Sequence, residues 1–264
     1  MKIIAVSNQK GGVGKTTTAV NLAACLAACE KNTLLIDMDA QCNSTSGVGI
    51  DKSDPDMLSI YNLLSAEDDE CEHSINDVII KNTHIDFLDI IPATVDLAGI
   101  ELELVGAFAR EHKLKNVLSK IDPSYDFVII DSPPSLGLTT VNILTATDTV
   151  LIPIQCEYFA LEGLAELLNT IRLVQKNLNS NLEIEGALLT MYDGRLNLSR
   201  QVADDVKSYF SGKVFSSIIP RNVKLSEAPS FGKPIINYDI MSAGAKGYMD
   251  LAKEIIENSG TNNG

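Results

Sequence analysis

Residues 8–17, Asn-Gln-Lys-Gly-Gly-Val-Gly-Lys-Thr-Thr, constrain the fold more than any other stretch of this chain. Glycines at 11, 12 and 14 allow the tight, left-handed turns that other residues resist. The run before them, Ile3–Val6, is apolar without polar alternation, which predicts a strand buried on both faces. The run after them, Thr17–Cys29, places Val20, Leu22, Ala23, Leu26 and Ala27 along one side of a helix. A strand, a glycine turn and a helix in this order form a cradle for an anion, because loose amides and the positive end of the helix point the same way.

The usual phosphate loop reads G-x-x-x-x-G-K-[ST], with the lysine on the β and γ phosphates and the hydroxyl on Mg²⁺. Gly14-Lys15-Thr16 matches its end, but Gln9 stands where the first glycine belongs and an additional lysine, Lys10, follows it. Two further apolar runs end in carboxylates. Phe127–Ile130 leads into Asp131, and Leu34–Ile36 leads into Asp37 and Asp39. Ligands of open α/β sheets collect at the carboxyl ends of strands, so Asp131 is expected to be ionised and to hold Mg²⁺ from behind its inner ligands. The i,i+2 spacing puts Asp37 and Asp39 on the same side of an extended chain, where one of them can orient an attacking water.

Other apolar runs cover Thr33–Ile36, Phe87–Ile91, Val150–Ile154, Ile184–Leu189 and Val214–Ile219, and helical spacing recurs over Ala160–Leu178 through Leu164, Leu167, Leu168, Ile171 and Val174. This alternation predicts an α/β fold: a doubly wound, mostly parallel sheet flanked by helices, in the manner of P-loop NTPases. Neither a Gly/Ser-rich linker nor a repeat interrupts it, so residues 1–264 are expected to form a single domain, with 258–264 as a flexible tail. The acidic run Glu67–Glu72 reads as a solvated loop.

A net charge of −14 excludes a surface that is basic all over, so any nucleic-acid contact must be a local patch. Five cysteines, with Cys25 and Cys29 at helical spacing, fit reduced thiols and a cytoplasmic setting better than a disulfide framework. No stretch approaches the ~18 apolar residues of a membrane span, and the chain opens straight into its first strand.

Lys10–Thr17, Asp37-x-Asp39-x-Gln41, Asp131-Ser-Pro-Pro134 and Ile219-Pro-Arg-Asn-Val-Lys-Leu-Ser-Glu-Ala-Pro-Ser-Phe-Gly-Lys-Pro234 together resemble the ParA/Soj partitioning ATPases of the deviant Walker A group. The loop alone marks the wider group, which includes MinD-type proteins and the nitrogenase iron protein, whereas the 219–234 segment is narrower. The resemblance implies a slow, partner-stimulated ATP hydrolase that forms an ATP-bound homodimer. In it Lys10 reaches the partner subunit's nucleotide; Gly11, Gly12, Val13, Gly14, Lys15, Thr16 and Thr17 bind phosphates; Thr16 ligates Mg²⁺; and Asp39 positions the water. Pro220 and Asn222 match the adenine-contacting loop.

The resemblance further implies non-specific double-stranded DNA binding by the dimer, a nucleoid-associated location, a ParB-type centromere-binding partner and no membrane contact. Arg195 and Lys224 match DNA-contacting positions, although arginine is commoner at the latter. Between Arg195 and Lys233 seven basic residues face three acidic ones, a local balance of +4. Ala40 and Cys42 depart from the proline and glycine common at their positions, which bears on the rigidity of the Asp39 loop. A MinD-like or other cargo-positioning ATPase is the alternative, against which the short, acidic last helix argues. An iron–sulfur role lacks the cysteines it needs after Asp131.

Overall fold

The computed structural model describes residues 1–65, 73–81, 83–158 and 163–261. The acidic run at 67–72, Cys71 and the end of the tail, 262–264, lie outside the described residues.

Six strands form one parallel sheet: β1 (Lys2–Val6), β2 (Thr33–Asp37), β3 (Leu88–Ile91), β4 (Phe127–Asp131), β5 (Thr149–Gln155) and β6 (Glu183–Thr190), in the spatial order β3-β2-β4-β1-β5-β6. Parallel pairing demands crossovers, and the apolar character of every strand demands cover on both faces. Neighbours along each strand serve opposite faces: Ile4 and Val6 join one core and Ala5 the other, as do Leu35 against Leu34 and Ile36.

The helices are α1 (Lys15–Ala28), α2 (Asn43–Gly47), α3 (Ile60–Ser65), α4 (Ile75–Val78), α5 (Ile100–Glu103) and α6 (Lys113–Leu118) in the first half. They continue as α7 (Leu138–Ala146), α8 (Leu164–Asn177), α9 (Asn197–Phe210), α10 (Val223–Glu227), α11 (Ile235–Tyr238) and α12 (Ala243–Thr261). α1 and α12 pack together in the core that contains Ile4, while α6, α7, α8 and α9 contribute to the other. Among the described residues no helix is long and apolar enough to cross a membrane. Cys25, Cys29, Cys42 and Cys156 are all free thiols.

The helix expected over Ala160–Leu178 begins in residues 159–162, outside the described residues, and from Leu164 its predicted apolar face is buried. Three expectations change. α1 is buried nearly all round, from Thr18 through Ala27, rather than along one side, because α12 covers the surface that the sheet leaves open. The apolar run Val214–Ile219 is not a strand. It touches β6 through an isolated bridge, Ala187 to Val214, and the Glu254 carboxylate of α12 accepts the amides of Ser216 and Ser217 at 2.7 and 3.0 Å, diverting them from a ladder. The expected tail is helical as far as Thr261, as a continuation of α12.

Candidate functional site

β1 delivers the glycine loop to the carboxyl edge of the sheet, where Gly12 and Gly14 adopt φ of +75° and +93°. No side chain caps the N-terminus of α1 and its first turn holds no acid, so the helix's leading amides are turned toward an incoming anion. The loop is fixed at three points. Asn8 donates to the Pro153 carbonyl at 2.7 Å and accepts from the Lys10 amide at 3.0 Å. Thr190, the last residue of β6, donates to the Val13 carbonyl at 2.8 Å.

Lys15 is buried and its Nζ donates to the Lys10 carbonyl at 3.1 Å. Burial lowers its pKa, while Asp131 and Asp39 act in the opposite direction, which places all three groups in one electrostatic unit. Lys10 itself is half-buried beside exposed Gly11 and Gly12.

The carboxylates divide sharply. Asp37 and Asp131 face each other in register at the ends of β2 and β4, and both are fully buried. Asp37 Oδ2 accepts the Thr45 amide and hydroxyl, each at 2.8 Å, and Oδ1 accepts the Asp39 amide at 3.1 Å. Asp37 is therefore occupied in holding the chain. Asp39 lies beyond the strand, half-exposed, with Oδ1 accepting the Gln41 amide at 3.0 Å. The shared-side expectation for this pair gives way to one structural acid and one accessible acid.

Asp131 Oδ2 accepts the Ser44 hydroxyl at 2.8 Å, whereas Oδ1 is buried with no hydrogen-bond partner. Burial, and then the neighbouring Asp37, push its pKa up to about 8 against the pull of the Thr16 and Ser44 hydroxyls. The surroundings within the chain thus disfavour the ionised form expected of Asp131. Burial likewise lifts Asp37 to about 6. A buried oxygen lacking a partner beside Thr16, together with uncapped helix amides and Lys15, makes a donor set that fits a polyphosphate with a divalent cation.

Cys42, the N-cap of α2, has φ +55° and ψ +37°, the left-handed region that explains a preference for glycine at this position. Beyond β6, Tyr192 bridges to Pro220, and Asn222 caps α10 by accepting the Lys224 amide at 2.8 Å. Arg195 is exposed and pairs with Asp193 at 2.7 Å, which holds the Asp193 carboxyl down at about 2. Lys224 pairs with Glu227 at 2.9 Å and Arg221 with Glu157 at 2.9 Å. Every one of these three cations meets a carboxylate.

Ser44, Thr45 and Thr190 escaped the sequence reading. The Asn43–Ser46 run signals a helix cap, but nothing in it says that its hydroxyls reach across to the ends of β2 and β4.

The family model described as an AAA domain matches residues 1–184. The sporulation initiation inhibitor protein Soj of Bacillus subtilis is 58% identical over 257 residues, covering 97% of this chain and 99% of that protein. A crystal structure of cobyrinic acid a,c-diamide synthase from Mycobacterium smegmatis with bound ADP and magnesium has a TM-score of 0.84 at 34% identity, covering 99% of this chain and 96% of that one. A putative plasmid partition protein from Borrelia burgdorferi bound to AMPPNP has a TM-score of 0.81 at 27% identity, covering 97% and 99%.

Proposed function

Because this chain belongs to the ParA/Soj family of chromosome-partitioning ATPases, we propose that it is an ATP-driven dimer switch that binds DNA when paired. The observation that carries this reading is the buried, unpartnered Asp131 Oδ1 beside Thr16, at the mouth of an uncapped glycine loop containing Lys15. ATP and Mg²⁺ suit those groups, and the related structures from Mycobacterium and Borrelia contain ADP with magnesium and AMPPNP respectively.

In this reading Gly11 to Thr17 hold the phosphates, and Lys15 gives up its contact with the Lys10 carbonyl to reach them. Thr16 would offer its hydroxyl and Asp131 its carboxylate to hold the cation, whose charge would favour the ionised carboxylate. Mg²⁺, when bound, would neutralise phosphate charge. Asp39, accessible and held by Asp37 through its own amide, positions the water. Lys10 crosses to the second subunit's nucleotide, so that the site is complete only in the dimer; as a compact point charge it supplies less than a guanidinium fork. Pro220 and Asn222 face the base.

Arg195 and Lys224 form the DNA contact, exchanging Asp193 and Glu227 for phosphate oxygens. Pairing two subunits doubles these contacts, which makes retention depend on ATP. A ParB-type partner stimulates an otherwise slow turnover. The test is retention of the purified chain on double-stranded DNA with ATP, with ADP and without nucleotide. Retention with ATP alone is expected, and equal retention in all three conditions would overturn the switch.

A further inference from the structure

Two neighbouring side chains of the short helix α2 close on both carboxylates at the strand ends. Thr45 holds Asp37, and Ser44, fully buried beside it, donates to Asp131 Oδ2 at 2.8 Å. The chain reaches this position by a sharp entry: Cys42 stands in the left-handed region and donates its amide to the Asp39 carbonyl at 2.9 Å. One stretch of six residues, 39–44, therefore carries both the accessible acid and the hydroxyl that grips Asp131.

The two carboxylates are gripped unequally. Asp37 has donors on both of its oxygens: the Asp39 amide on Oδ1, and the Thr45 amide and hydroxyl on Oδ2. On Asp131 the Ser44 hydroxyl takes Oδ2, while Oδ1 is buried and bare. Register with Asp37 across β2 and β4 fixes where Asp131 stands, but not how its carboxyl plane lies. The last torsion of an aspartate is broad and two-fold, so a carboxyl without a partner turns easily. The Ser44 hydroxyl sets the plane, because it occupies one oxygen and leaves the other to be offered. Mg²⁺ tolerates little departure from octahedral geometry, and groups that orient its holders typically change affinity by about 10- to 100-fold.

We propose that Ser44 is a positioning residue for the divalent cation, acting through Asp131 by fixing which carboxyl oxygen is offered. The proposal rests on the reading above, in which Thr16 and Asp131 hold the cation. The test needs no turnover: a fluorescent ADP analogue is bound to the full chain while Mg²⁺ is titrated, below the melting temperature of every variant. Ser44→Ala should raise the half-saturating Mg²⁺ concentration about tenfold. Binding of the analogue without Mg²⁺ should match the parent, because the glycine loop keeps its own anchors at Asn8 and Thr190. In an Asp131→Ala background the same substitution should change the half-saturating concentration no further, as expected of a residue that acts only through Asp131.

An unchanged Mg²⁺ requirement in Ser44→Ala overturns the proposal. An equal rise in the Asp131→Ala background also overturns it, since Ser44 would then act by another route. Weakened binding of the analogue without Mg²⁺ overturns it too, and assigns the hydroxyl to the fold of the whole site. A parent chain whose binding ignores Mg²⁺ is a separate result, which removes the cation reading and the proposal with it.

Discussion

Thr45→Val isolates what holds the Asp37 carboxylate. Valine keeps the shape of a fully buried side chain, so the change is confined to the hydroxyl. Two bonds disappear: the 2.8 Å donation to Asp37 Oδ2 and the 3.0 Å acceptance from the Ala93 amide. A hydrogen bond to a charged group contributes about 1.5–3 kcal/mol, and leaving a buried amide unpaired costs about 1–3 kcal/mol. Burying a methyl in place of the hydroxyl returns about 0.8 kcal/mol, so the net loss is about 3 kcal/mol.

With an unfolding entropy of about 2.1 cal/mol/K per residue, a chain of 264 residues should melt about 5 °C lower. Scanning calorimetry without nucleotide measures this. Thr45→Ser keeps both bonds, loses only a methyl, and should cost about 1 kcal/mol. If valine costs no more than serine, the hydroxyl is not what holds Asp37 and the reasoning fails.

Lys10→Ala should still bind nucleotide but stay monomeric with ATP, and gel filtration showing a parental dimer would remove its role across the interface. Asp39→Ala should slow phosphate release about 100-fold while the ATP-bound dimer persists, because water positioning is lost and phosphate contacts are kept. Arg195→Glu with Lys224→Glu should abolish DNA retention without affecting dimerisation, and parental retention should fall steeply as salt rises. Asp131 has a native pKa raised from 3.8 to about 8, so the native state holds its proton more tightly than the unfolded chain. Stability without nucleotide should therefore fall as pH rises from about 4 to 8, by up to about 1.4 kcal/mol per pH unit. Asp131→Asn should flatten that slope in urea titrations, and an unchanged slope would place the proton elsewhere.

The strand, glycine turn and helix of residues 2–28 were legible because pattern and motif are both local there. The same holds for the strand ends that deliver Asp37 and Asp131. What local pattern could not supply was each acid's environment. Asp37 is structural and Asp39 accessible because Thr45, eight residues after Asp37, folds back onto it, and hydropathy records no such return. The raised pKa of Asp131 follows from burial at the sheet's edge and then from facing Asp37 across two strands, surroundings fixed by sheet order rather than by either segment. Val214–Ile219 reads as a strand by composition, but Glu254 from a distant helix claims the amides of Ser216 and Ser217. α1 reads as one-sided because α12, more than 200 residues later, is invisible from within it.

The strand order has a consequence for traffic on the molecule. β3 and β6 are the two edge strands of the sheet, five strand intervals or about 24 Å apart, with the glycine loop of β1 between them. Two ligands of very different size and charge can therefore sit on one subunit without displacing each other. On the proposed function, DNA held by the cations after β6 leaves the β3 edge of the same subunit uncovered.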